Sequence, residues 1–194
     1  MHPFPFYLQL GFEHISDLAG LDHILFLVAL CAVYRIEQWK NLAILVTAFT
    51  VGHSVTLALA SFELLTISSE VIEFLIPTTI LLTALHNVIS RRSVESDVGM
   101  GWAYAMALFF GLIHGMGFSN YFRALLMDDS SIALPLLGFN LGIELGQLLI
   151  VAVIMGVSSM FVRGLRVKHR DWNVFVSGAA AGIALMLMYE NRFW

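Results

Sequence analysis

"GFEHISDLAGLDHILFLVAL", Gly11 to Leu30, decides how the rest of the chain is read. Its second half is an apolar run of helical character. The run is entered through His14, Asp17, Asp22 and His23, with Glu13 just ahead of them. A charge at the centre of a bilayer costs about 2.5–3.5 kcal/mol even on the lenient insertion scale. A helix that enters oil carrying such groups must have a use or a partner for them.

The composition says that oil is the solvent. Of 194 residues, 59% are hydrophobic and 12% charged, and the mean hydropathy is +0.83. Soluble domains average roughly 45–50% apolar and about 25% charged. A net charge of −4 argues against nucleic acid as a partner. The single cysteine, Cys31, sits in an apolar run, which rules out an internal disulfide and a CxxC metal site. It reads as a small hydrophobe. The opening "MHPFPFYLQLGFEH" lacks a basic stretch and a small-residue cleavage site, so no removable signal peptide is expected there. The first spanning helix then serves as its own address, unless the chain starts at a processed end.

About 20 apolar residues cross a bilayer, and fewer suffice when flanking side chains snorkel. The hydropathy pattern predicts an all-α, polytopic six-helix bundle forming one domain over residues 1–194. The predicted spans are 20–34, 41–62, 68–89, 101–125, 132–162 and 172–188, with Phe4–Leu18 as a partial or surface helix before the first. Arg35, Lys40, Arg91, Arg92, Arg163, Arg166, Lys168 and Arg170 all fall on one side of this arrangement. Arg123 and Arg192 fall on the other. The positive-inside rule puts the larger group in the cytoplasm and both termini outside. Trp39, Trp102, Trp172 and Trp194 lie near predicted ends, as interfacial anchors do. Gly138, Gly142 and Gly146, Gly111 and Gly115, and Gly178 and Gly182 recur at steps of four. That spacing allows close helix packing within the chain or across a homo-oligomer. The nine methionines are scattered and read as filler rather than copper ligands.

The informative residues are the polar ones inside the spans: Asp22, His23, His53, Glu73, His86, Asn87, His114, Asn140, Glu144 and Gln147. With the chain oriented as above, Asp22, His23 and Glu73 fall near the outer surface. His53, His114 and Glu144 fall at or somewhat outside mid-depth, and His86 and Asn87 nearer the cytoplasm. Asn140, Glu144 and Gln147 make one helical stripe, and Thr47, Thr50 and Ser54 make another beside His53. Pro77 removes the hydrogen bond to the Glu73 carbonyl and so frees an acceptor beside a carboxylate, a usual element of an intramembrane cation site. Imidazole with carboxylate suits borderline divalent metals such as nickel, cobalt and zinc. Each histidine taken alone also has a bland reading as hydrogen-bonded glue between helices, His86 above all. His2 is either an accident of sequence or an outer metal collector. His169, in "RGLRVKHR", reads as solvated.

These same stretches resemble the HupE/UreJ family of small bacterial membrane proteins, regarded as nickel or cobalt permeases. The resemblance runs through "HP" at His2–Pro3, "GFEHISDLAGLDHILFL" at Gly11–Leu27, "FTVGHSVTLALA" at Phe49–Ala60, "GLIHGMGF" at Gly111–Phe118 and "NLGIELGQ" at Asn140–Gln147. The resemblance implies that His14, Asp22, His23, His53, His114 and Glu144 form the metal path or site.

The expected function is therefore uptake of a divalent transition metal across the bacterial inner membrane, with nickel or cobalt as substrate and zinc as a further candidate. His14, Asp22 and His23 would capture the ion at an outer mouth and pass it to His53, His114 and Glu144, with Glu73 nearby. Asn140, Gln147, Thr50 and Ser54 would provide polar lining, and His86 and Asn87 an inward exit. The expected partners are the metal ion and the lipid bilayer. The chain is not expected to be an enzyme. Two rivals stay open: an intramembrane zinc hydrolase of a lipid substrate, and an accessory or sensor subunit that binds metal without flux.

Overall fold

The computed structural model describes residues 4–18, 20–62, 64–65, 67–89, 97–126 and 132–194. His2, Pro3, Arg91 and Arg92, used in the reading above, lie outside the described residues. Among the described residues, seven α-helices run in chain order: α1 Phe4–Ser16, α2 Leu21–Cys31, α3 Trp39–Ser61, α4 Ser69–Ile89, α5 Asp97–Leu126, α6 Ala133–Ser159 and α7 His169–Glu190. A 3₁₀ turn, Ile36–Gln38, leads into α3, and α6 ends in a π turn, Met160–Gly164. The fold is an all-α polytopic bundle. Five helices, α3 to α7, are each long and apolar enough to cross a membrane.

The first predicted span, 20–34, is short, and α1 is the partial helix before it. The segment from Gly20 to Tyr34 holds only the 11-residue α2. At 1.5 Å per residue it is about 16 Å long, roughly half of a 30 Å hydrocarbon core. Nor is α1 a surface helix, because Tyr7, Gly11 and Ile15 are buried. The axis turns by 67° between α1 and α2, and the two helices act in series. Gly138 of α6 faces Phe4 and Tyr7, Gly142 faces Leu8 and Phe12, and Gly146 faces Ile15, so α1 runs parallel to α6 and stops at its midpoint. At the far end of α2, the Ala29 carbonyl accepts a hydrogen bond from Asn87 Nδ2 at 2.6 Å, next to the end of α4. The pair thus passes from one end of the bundle to the other as a broken span, with its break in mid-bundle.

Backbones touch where glycine permits it. A Cβ on Gly11 would run into the Phe139 carbonyl, and one on Gly142 into that of Leu8. The same holds between α3 and α5: Gly52 meets the Leu108 carbonyl, Gly111 that of Phe49 and Gly115 that of His53. The glycine rows of α5 and α6 are therefore consumed inside the chain. Gly178 and Gly182 of α7 face open space. A buried hydrogen-bond network joins three other elements. Asn87 Nδ2 donates to Ser177 Oγ at 3.3 Å, Ser177 Oγ to Asn173 Oδ1 at 2.9 Å, and Asn173 Nδ2 to the Asn87 carbonyl at 3.0 Å, tying α2, α4 and α7 together. Such groups, left unpaired in an apolar interior, would each cost several kcal/mol, on the order of 2–7.

Candidate metal site

The break in the first span is where the chemistry collects. His14 stands in the last turn of α1, and Asp22 and His23 stand in the first turn of α2. No side chain caps α2. The negative charge of Asp22 there complements the positive end of the helix dipole. Close packing of α3 on α5 at Gly115 brings His53 and His114 into the same layer. His14, His23 and His53 offer ligand atoms that all lie within 4.8 Å of one another, and so do Asp22, His23 and His114. Ring centroids are 4.8 Å apart for His14–His23, 6.0 Å for His14–His53 and 5.2 Å for His23–His114.

Hydrogen bonds settle which nitrogen of two histidines is free to bind. Asp22 Oδ1 accepts from the His23 backbone N–H at 2.9 Å and faces His23 Nδ1 at 3.1 Å. An ionised carboxylate only accepts, so the His23 proton sits on Nδ1 and the lone pair on Nε2. For His114 the partner is Thr79. Its hydroxyl lies 2.7 Å from the Ile76 carbonyl and 3.0 Å from His114 Nε2. The carbonyl can only accept and is the nearer of the two, so the hydroxyl proton is assigned to it. The hydroxyl oxygen then accepts from His114 Nε2–H, which leaves the Nδ1 lone pair exposed to the cluster. Outer partners of this kind fix the tautomer of metal-binding histidines. Thr79 was not singled out from sequence. A threonine in a helix gives no sign of which neighbour its oxygen serves.

Among the described residues, the inward-facing nitrogens have no protein partner. His14 Nε2, His23 Nε2, both nitrogens of His53 and His114 Nδ1 are buried without a hydrogen bond. His53 and His114 are at most 1% exposed and His23 is 5% exposed. Buried polar atoms are nearly always paired, and an orphan set calls for a ligand, ion or water. Phe26, Phe49, Phe118 and Phe139 wall the cluster. Phe118 lies 4.0 Å from His14, Phe49 lies 5.0 Å from His114, and Phe118 stacks on Phe139 at 4.9 Å. Half-buried His14 and Asp22 form its more open edge.

The other residues read from sequence lie elsewhere. Glu144 is half-buried and accepts from Thr47 Oγ1 at 2.6 Å, and Gln147 accepts from Thr50 Oγ1 at 2.8 Å. Glu144 Oε2, Gln147 Nε2 and Asn140 Oδ1 are buried without partners among the described residues, so the α6 stripe stays polar, and Glu144 belongs to neither ligand group found among those residues. Ser54 returns its hydroxyl to the Thr50 carbonyl at 2.6 Å. The Glu73 side chain is exposed, and the carbonyl that Pro77 frees is taken by Asn191 Nδ2 at 3.2 Å. His86 is exposed, while Asn87 is held in the network described above. Asp22 and His23 lie in mid-bundle rather than at the end of the bundle, because α1 supplies the first half of the broken span. His169 is not merely solvated, since its Nε2 lies 3.2 Å from the Tyr34 carbonyl.

Fold and site together describe a polytopic membrane protein in which four histidines and an aspartate, able to hold a metal ion, converge at a broken span. A family model described as HupE / UreJ protein matches residues 1–192, and the chain belongs to that family, which is associated with nickel and cobalt transport. No curated protein and no solved structure matches the chain.

Proposed function

We propose that the protein takes up divalent nickel or cobalt across the bacterial inner membrane, with both termini outside. The observation that carries this reading is the set of partnerless buried imidazole nitrogens from α1, α2, α3 and α5 around the break. The ion enters past His14 and Asp22 and exchanges hydration water for imidazole nitrogen. His23 belongs to both three-residue groups, so the ion advances by trading His14 and His53 for Asp22 and His114 while His23 stays bound. Three protein donors leave coordination positions open, which keeps the ion exchangeable. The ligands bind as unprotonated groups, so uptake is linked to proton release. The polar atoms of Asn140, Glu144 and Gln147 line the neighbouring face of the path.

The test is uptake by proteoliposomes under a proton gradient. Nickel or cobalt should accumulate with the wild-type chain, and His53→Ala should bring uptake down to that of empty vesicles. A folded wild-type protein that binds metal but gives no uptake above empty vesicles would overturn transport. It would leave the zinc-hydrolase or sensor reading.

A further inference from the structure

The basic end of the bundle carries a second pocket, separate from the histidine cluster at the break. The 3₁₀ turn before α3, the π turn after α6 and the start of α7 enclose a pocket of about 280 Å³. It is lined by Arg35, Glu37, Ser158, Ser159, Arg163 and His169, together with Ile36 and Val162. Glu37 is paired with Arg163. Among the described residues Arg35 has no carboxylate partner, so the pocket keeps an uncompensated positive charge. Ser158 is the second observation. It is 4% exposed, it lines the pocket, and its hydroxyl has no hydrogen-bond partner among the described residues. A helical serine ordinarily gives its proton to the carbonyl one turn back, as Ser16, Ser54 and Ser61 do here. Behind these side chains, α7 begins at His169 with no side-chain cap, so its first backbone N–H groups remain available.

We propose that this pocket binds a phosphate group, through Arg35, the Ser158 hydroxyl and the start of α7. A guanidinium beside a hydroxyl and uncapped helix N–H groups is the chemistry of phosphate recognition. The same loop carries Arg166, Lys168 and Arg170. By the positive-inside rule this end faces the cytoplasm, where basic pockets between helices bind anionic lipid headgroups. The volume admits a headgroup phosphodiester as well as a free phosphate.

The experiment uses the full-length protein in nanodiscs of neutral phosphatidylcholine, with phosphatidylglycerol or inorganic phosphate added in separate arms. Retained adducts are read by native mass spectrometry and binding by the shift in melting temperature. A phosphatidylglycerol adduct that Arg35→Gln and Ser158→Ala each weaken by about tenfold, and that Arg170→Gln leaves alone, supports a lipid occupant. The same dependence seen only with inorganic phosphate supports a soluble one. Binding of neither probe overturns the proposal. Equal weakening by Arg35→Gln and Arg170→Gln also overturns it, because that pattern is bulk charge attraction without a site.

Discussion

Replacing Thr79 by valine removes one oxygen from the protein and leaves its shape nearly intact. Thr79 is 2% exposed, and its hydroxyl bridges the Ile76 carbonyl and His114 Nε2. With valine there, His114 loses the acceptor that holds its proton on Nε2, and its ring is free to turn and to place the proton on Nδ1, the atom facing the cluster. Loss of such an outer hydrogen bond typically weakens metal binding about 10- to 100-fold. That range corresponds to about 1.4–2.8 kcal/mol. Competition titration of purified protein against a nickel chelator measures it directly. Cobalt absorption bands report whether the coordination has changed. Thr79→Ser restores the acceptor and should return affinity to within a few-fold of wild type. A Thr79→Val protein with unchanged melting temperature and unchanged nickel affinity would refute the argument that His114 binds through Nδ1. So would equal loss in the serine variant.

Three further outcomes follow from separate parts of the structure. Gly11→Ala should destabilise the fold and scatter the site, because its methyl would overlap the Phe139 carbonyl, whereas Gly20→Ala meets only Asp22 Oδ1 at 3.7 Å and should be near neutral. Thermal melts of the two variants side by side check this. Asn87→Ala removes the hydrogen bonds to the Ala29 carbonyl and Ser177. It should lower stability by about 2–3 kcal/mol while metal content per folded molecule stays unchanged by elemental analysis. Glu144→Gln should likewise keep its bound metal, because Glu144 pairs with Thr47 outside the cluster. A loss of uptake with normal metal content places that residue on the path rather than at the site.

Much of the fold was legible because hydropathy alone marks long continuous helices. The second predicted span, 41–62, is α3 Trp39–Ser61, and the third, 68–89, is α4 Ser69–Ile89. The broken span escaped for a physical reason. Neither α1 nor α2 is long enough to register as a crossing, and the turn between them falls among residues that read as a polar entrance. Gly11 held the missing signal, since a small residue one turn before His14 marks a backbone approach that a surface helix does not need. At the site, polarity inside oil identified which side chains need partners but not which partners they find. His14, Asp22, His23, His53 and His114 converge. Glu73, equally out of place by sequence, points outward, and Asn87 spends its amide on helix packing. Direction around a helix axis separates these fates, and it depends on crossings that no single span encodes.

Anomalous diffraction from crystals of the cobalt-loaded protein, recorded on both sides of the cobalt edge, bears most directly on the cluster at the break between α1 and α2. The expected result is a peak inside the Phe26–Phe49–Phe118–Phe139 enclosure, with His23 and at least two of His14, His53, Asp22 and His114 in the coordination sphere. A loaded crystal with no peak there, or with cobalt held only at surface carboxylates, would contradict a metal-carrying broken span.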